Sequence, residues 1–144
     1  MPRKLFHPET WFRSGDIDRT YGLVRLMNAR DYAGLEQALH DDFVYLDTAG
    51  SPIRGRGAFL AAARELHRIA PDLKIETDQI FRQEGEIHIK GHLISADPEH
   101  CSESLWRVSF DEDGKASELQ AFRVGNAVSV TRMTAHLRRP STVS

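Results

Sequence analysis

Apolar side chains first recur at helical spacing and later at every second residue, and that change divides the chain. Ile17, Tyr21 and Val24 fall at i, i+4 and i+7, and Leu23 and Met27 widen the stripe. A first helix is predicted from Ser14 or Asp16. Either residue can cap it, and Asp16 and Asp18 suit the positive end of its dipole. Asn28-Ala29-Arg30 ends it, and Asp31 caps a short second helix carrying Leu35, Ala38 and Leu39. The two read as an antiparallel pair joined by a tight turn. A strand follows over about residues 42–47, with Phe43, Tyr45 and Asp47 on one face and Val44 and Leu46 on the other. Gly50, Ser51 and Pro52 break the chain. Gly55 and Gly57 flank the entry to a third helix over about 57–69, whose stripe is Phe59, Ala62 or Ala63, Leu66 and Ile69. Pro71 closes it.

Beyond Pro71 the period becomes two. Leu73, Ile75 and Thr77 alternate with Lys74, Glu76 and Asp78. Glu84-Gly85 reads as a hairpin turn, after which Ile87, Ile89 and Leu93 share a face with Gly91 between them. Asp97-Pro98-Glu99-His100 is a polar loop. The next strand holds Trp106, Val108 and Phe110, and Asp113-Gly114 predicts a type I′ hairpin into a strand over 116–124. Gly125-Asn126 turns again, and Val128 and Val130 suggest a short further strand. Helices early and meandering strands late give an α+β class with a mostly antiparallel sheet. The single domain is placed at 14–134. Residues 1–13 are an N-terminal arm whose Leu5, Phe6, Trp11 and Phe12 pack on the domain or on a neighbouring subunit. Residues 135–144 form a polar, frayed tail.

Composition narrows the functional classes. A chain of 144 residues with 40% hydrophobic and 28% charged residues is one globular domain, able to bury roughly 70% of its unfolded surface. A net charge of −2 offers no basic field for nucleic acid and no polybasic patch for a membrane surface. The single cysteine, Cys101, forms no intrachain disulfide, which fits a reducing cytoplasm. Pro8 and Glu9 interrupt the start of the chain, so no secretory signal is expected. No stretch approaches the roughly 18 apolar residues of a spanning helix.

The candidate chemistry centres on Asp47. One reading makes it a carboxylate in an apolar pocket, a base that abstracts a proton next to a carbonyl. The other makes it a strand-end residue bracing the Thr48-Ala49-Gly50 turn. Arg123 has two registers. With Leu119 and Ala121 it faces the pocket and pairs with Asp47 or an anionic substrate group. In the other register Phe122 and Val124 face inward and Arg123 meets solvent. Trp106, Tyr45 and Phe59 form either a ligand-stacking wall or plain core. The Tyr21 hydroxyl either donates to a ligand or sits at the helix edge. His88 and His92 share one face of a strand, about 13 Å apart, too far for one ion. They read as an outer or subunit-contact face. Cys101, beside Glu99 and His100, has no evident activating partner. His7, His40, His67 and His136 carry no pattern, and no phosphate loop, dinucleotide fingerprint or nucleophile elbow is present. No cofactor and no metal are expected.

The run from Asn28-Ala29-Arg30-Asp31-Tyr32 through Leu35, Leu39, Asp41-Asp42 and Asp47 to Gly55-Arg56-Gly57-Ala58-Phe59, with the late Phe110…Asp113-Gly114-Lys115 hairpin, resembles the nuclear transport factor 2-like superfamily. Within it the chain is similar to the SnoaL-like polyketide cyclase and ketosteroid isomerase branch over about residues 16–124. The resemblance implies a curved sheet wrapped on three N-terminal helices, a cone with an apolar pocket, and a homodimer packed through the sheet. It implies a cofactor-free isomerase, cyclase or dehydratase acting on a small apolar carbonyl compound. Asp47 falls where the isomerases keep their base, and Tyr45, Trp106 and Tyr21 or Arg123 would position the substrate. The chain departs from that pattern at the two oxyanion donors, where Leu23 and Trp106 stand. A non-catalytic ligand-binding or dimerisation module is the alternative, since one fold hosts many functions.

Overall fold

The structure is a computed structural model and describes residues 15–47, 51–123 and 129–138. The arm expected over 1–13 and the Thr48-Ala49-Gly50 turn lie outside the described residues. Two helices open the fold: α1 (Asp16–Ala29) and α2 (Tyr32–Ala38). Arg30 stands between them in the left-handed region, φ 57° and ψ 37°, and its N–H donates to Leu26 and Met27 carbonyls. Asp31 then caps α2 by accepting from the Gly34 N–H at 2.9 Å. Gly34 lies close against α1: a Cβ there would come 2.7 Å from Leu26 Cδ2, so that side chain would have to move.

Strand β1 (Leu39–Leu46) starts three residues earlier than expected, directly at the end of α2. Leu39, Phe43 and Tyr45 are buried along it. The short β2 (Ile53–Arg54) pairs with β1, and α3 (Arg56–Ile69) follows. Strands β3 (Lys74–Gln83), β4 (Glu86–Ile94), β5 (Ser102–Phe110) and β6 (Ala116–Arg123) form a meander. The six strands make one curved sheet in the order β2-β1-β6-β5-β4-β3, with only β1 and β6 parallel. The expected α+β class and curved, mostly antiparallel sheet are what the structure has.

A bulge explains the break in the alternation of β3. The β3–β4 register shifts between Thr77 and Gln79, so an extra residue turns the strand's phase over. Odd positions Leu73 and Ile75 face inward before it, and Ile80 is buried after it. Gly91 lies opposite, where a Cβ would come 2.3 Å from the Glu76 carbonyl oxygen. The glycine lets the two backbones meet where the sheet bends.

The expected Glu84-Gly85 hairpin turn is present, and other assignments change. Glu84 and Gly85 both have positive φ, 54° and 80°, and the paired Gln83 and Glu86 make this the two-residue type I′ hairpin. Asp113 is not in that region. Asp111 N–H donates to the Lys115 carbonyl, Gly114 N–H to the Asp111 carbonyl, and Gly114 takes φ 80°. That is a three-residue loop ending in a left-handed glycine, stabilised by the Asp111 carboxylate, which accepts from the Asp113 and Lys115 N–H groups. The strand expected around Val128 and Val130 is replaced at Val130 by a short helix, α4 (Val130–Met133), capped by Ser129; Val128 lies outside the described residues. Residues Ala135–Arg138, expected as the start of a frayed tail, form a 3-10 turn. His136 is held to Glu65 at 2.6 Å, and Arg138 donates to the Thr131 carbonyl.

Candidate functional site: the cavity between the helices and the sheet

The inward side of the sheet and the stripes of α1 and α3 enclose two adjoining cavities. One, of about 70 Å³, is bounded by Leu23, Val24, Phe43, Ile89 and Val108 among others. The second, of about 90 Å³, is bounded by Tyr45, Ala63, Leu66, His67, Ala121 and Val130 among others. Met27, Phe59, Ile75, Trp106 and Leu119 belong to both walls. The alternation of β1 and the helical spacing of α3 produce this directly. Phe43, Tyr45 and Phe59 meet as an aromatic cluster, with ring centroids 4.9 Å apart for Phe43–Phe59 and 5.8 Å for Tyr45–Phe59.

Polar groups are few. Asn28 lies in the wall, but its amide is engaged: Nδ2 donates to the Ile75 carbonyl at 2.9 Å and Oδ1 accepts from the Ile75 N–H at 2.8 Å. This pins α1 to edge strand β3. Ser104 is buried and hydrogen-bonded to Ser102 at 3.2 Å. His67 is 7% exposed. Its Nδ1 is hydrogen-bonded to the Tyr32 hydroxyl at 2.6 Å, and Arg64 lies 4.3 Å above the Tyr32 ring. Burial, then the nearby Arg30 charge, push the His67 pKa down to about 4. The imidazole is therefore neutral near physiological pH.

The sequence-predicted residues divide. Tyr45, Phe59 and Trp106 are together in the second cavity's wall. Tyr21 is not there: it is 41% exposed, because the inward face of α1 passes through Thr20, Leu23, Val24 and Met27. As a ligand donor within the cavity it is corrected to a helix-edge residue. Position 123 pairs with Ser104 across β5–β6, while the side chain of Arg123 lies outside the described residues.

Asp47 is at the end of β1 and bounds neither cavity. Its carboxylate accepts hydrogen bonds from Ser129 Oγ at 3.1 Å, the Thr131 N–H at 3.1 Å and Thr131 Oγ1 at 2.7 Å. It ties the end of β1 to the start of α4. Through that tie Val130 reaches the cavity wall. His67 was missed by sequence reading. The available signal was its position on the apolar stripe of α3, beside Leu66 and four residues after Ala63.

On the outer face, His88 stacks on Phe81 at 5.4 Å rather than joining His92. His92 Nδ1 lies 3.3 Å from Asp78 Oδ2. Among the described residues, Glu76, Asp78 and His92 are the group whose ligand atoms come close enough, within 4.8 Å, to share a cation. No helix among the described residues is long and apolar enough to cross a membrane.

A family model for the SnoaL-like domain matches residues 21–139. No curated protein matches the chain. Among solved structures, the chain is similar to SalBIII, an epoxide hydrolase/cyclase-like enzyme in pyran ring formation in the polyether salinomycin. The TM-score is 0.67 at 12% identity, covering 78% of this chain and 93% of that one. A putative SnoaL-like polyketide cyclase from Shewanella denitrificans gives 0.64 at 15% identity, covering 85% and 96%. A de novo designed protein with a curved β-sheet gives 0.69 at 12% identity, covering 87% and 98%. At these identities the likeness is one of fold.

Proposed function

The chain belongs to the SnoaL-like domain family, and from that premise we propose that it binds a small, mostly apolar carbonyl compound in the cavity between α3 and the sheet. The observation that carries this reading is the cavity itself: apolar walls with few polar groups, most of those already partnered within the protein. Such a site gains free energy from apolar burial and selects orientation by one or two polar contacts. Asp47 serves here as the anchor that closes the wall.

Trp106 reports on occupancy. In a Trp11→Phe variant it is the only tryptophan left. Titration with 2-cyclohexen-1-one should quench its fluorescence saturably, and cyclohexanone should compete. Quenching that rises linearly, as for free tryptophan, would refute cavity binding.

A second reading is a cofactor-free isomerase, cyclase or dehydratase with Asp47 as general base. Its support is the position of Asp47, one pleat beyond Tyr45 on the inward side of β1. It requires the carboxylate, which bounds neither cavity, to reach the ligand. Deuterium exchange at the α-carbons of cyclohexanone separates the readings. Exchange lost in Asp47→Asn supports the base, and equal exchange in both proteins removes it.

The proposal includes a homodimer packed through the outer face of the sheet. Its support is the half-buried Phe81, Leu105 and Phe122 on that face. Light scattering at the mass of one chain would refute it.

A further inference from the structure

Building on the cavity reading, we propose that His67 receives the single oxygen of the ligand, its Nε2–H donating to a carbonyl oxygen of an uncharged, mostly apolar molecule. His67 is a buried side chain in the wall of the second cavity. Its Nδ1 edge is taken by Tyr32, which is not part of that wall. Among the described residues Nε2 has no hydrogen-bond partner.

We take Tyr32 as the donor of the pair, a choice that the heavy-atom geometry alone leaves open. A neutral imidazole has one donor and one acceptor nitrogen, and a phenol has one proton to give. With Tyr32 donating to Nδ1, the ring proton sits on Nε2 and points away from Tyr32. The Arg64 guanidinium above the Tyr32 ring holds that partner in place. Burial and Arg30 keep the ring uncharged near neutral pH, so it offers a dipole rather than a charge. A carboxylate ligand would gain no ion pair from it. A ketone gains a hydrogen bond while the remainder of the molecule meets Phe59, Leu66 and Trp106. The other titratable side chains in the same wall are Lys74, which is exposed, and Tyr45, which is buried and itself partnered.

The test is a binding cycle with two isosteric probes, cyclohexanone and methylenecyclohexane, against the full chain and His67→Phe, read by NMR titration. A neutral hydrogen bond predicts that His67→Phe weakens cyclohexanone by about 3- to 10-fold more than methylenecyclohexane. Both probes binding, with equal effects of the substitution, overturns the role of His67 and leaves the cavity reading standing. Neither probe binding the unaltered chain overturns both. If His67→Phe does not fold, His67→Asn reads the same cycle. Imidazole nitrogen shifts give an independent check: a proton on Nε2 is expected, and a proton on Nδ1 overturns the donor assignment.

Discussion

Lowering the pH should unfold this protein partly through His67, and the size of the effect follows from its surroundings. The folded-state pKa is about 4 against an ordinary value of 6.5. The unfolded chain therefore binds a proton that the folded chain refuses. Stability rises with pH wherever the unfolded state binds more protons. The contribution is complete above the unfolded pKa of about 6.5 and is lost as pH falls toward about 4. Between about pH 7 and about pH 5 the loss works out at about 1–2 kcal/mol. Glu65 adds a loss of the same sign only as pH nears its ordinary 4.5. The Arg68 guanidinium, then His136, hold its folded carboxyl down to about 2, and any comparison protein that keeps Glu65 shares that loss. The comparison is with His67→Asn, whose amide oxygen can still accept from Tyr32 but does not titrate. Urea unfolding at several pH values should give curves that diverge on acidification, the unaltered protein losing about 1–2 kcal/mol more. Parallel curves would mean that His67 titrates as a solvated histidine, and the buried polar position assigned to it would be wrong.

Three further outcomes are expected. Asp47→Ala removes at least three accepted hydrogen bonds and strands the Thr131 N–H; urea unfolding should show a loss of about 2–4 kcal/mol, and no change would refute the anchor role. Gly91→Ala places a methyl group 2.3 Å from the Glu76 carbonyl oxygen, which should cost about 1–3 kcal/mol in the same assay, and a neutral effect would mean that the bulge relaxes freely. Asn28→Ala deletes both bonds to the Ile75 backbone; amide exchange at Ile75 should accelerate by about 10-fold, and unchanged protection would mean that β3 is held without α1.

Residue spacing carried most of the architecture. The stripe Phe59, Ala63, Leu66 and the alternation Phe43, Tyr45 and Ile87, Ile89 follow from periods of 3.6 and 2, and both survive in the structure. What spacing cannot carry is the effect of one inserted residue. The bulge after Thr77 reverses the phase of β3, and only the partner strand reveals it. The Asp113-Gly114 turn shows the same limit. The dipeptide suits a type I′ hairpin, but Asp111 caps its own loop and draws the chain into a longer one. Tyr21 continues the i, i+4, i+7 series from Ile17, and spacing leaves it open between a ligand donor and the helix edge. The buried Thr20, a polar residue, marks the true face. His67 could be placed on a helix face from sequence, but not beside Tyr32, which is 35 residues away.

The same distinction bears on Asp47. Its sequence position, after two inward aromatics at the end of a strand, suits a base and an anchor equally. The two roles compete for the same lone pairs. A base must offer one to a C–H or O–H proton at hydrogen-bond range, whereas the anchor commits at least three of roughly four acceptor sites to Ser129 and Thr131. Those bonds also hold Val130 against the cavity. Freeing the carboxylate would therefore loosen the wall of the pocket in which it was to act. His67 carries no such conflict: its tie to Tyr32 uses one ring nitrogen and leaves the other for a ligand. In this chain the polar contact is separated from the residue that closes the cavity, which allows a ligand oxygen to be held without opening the fold.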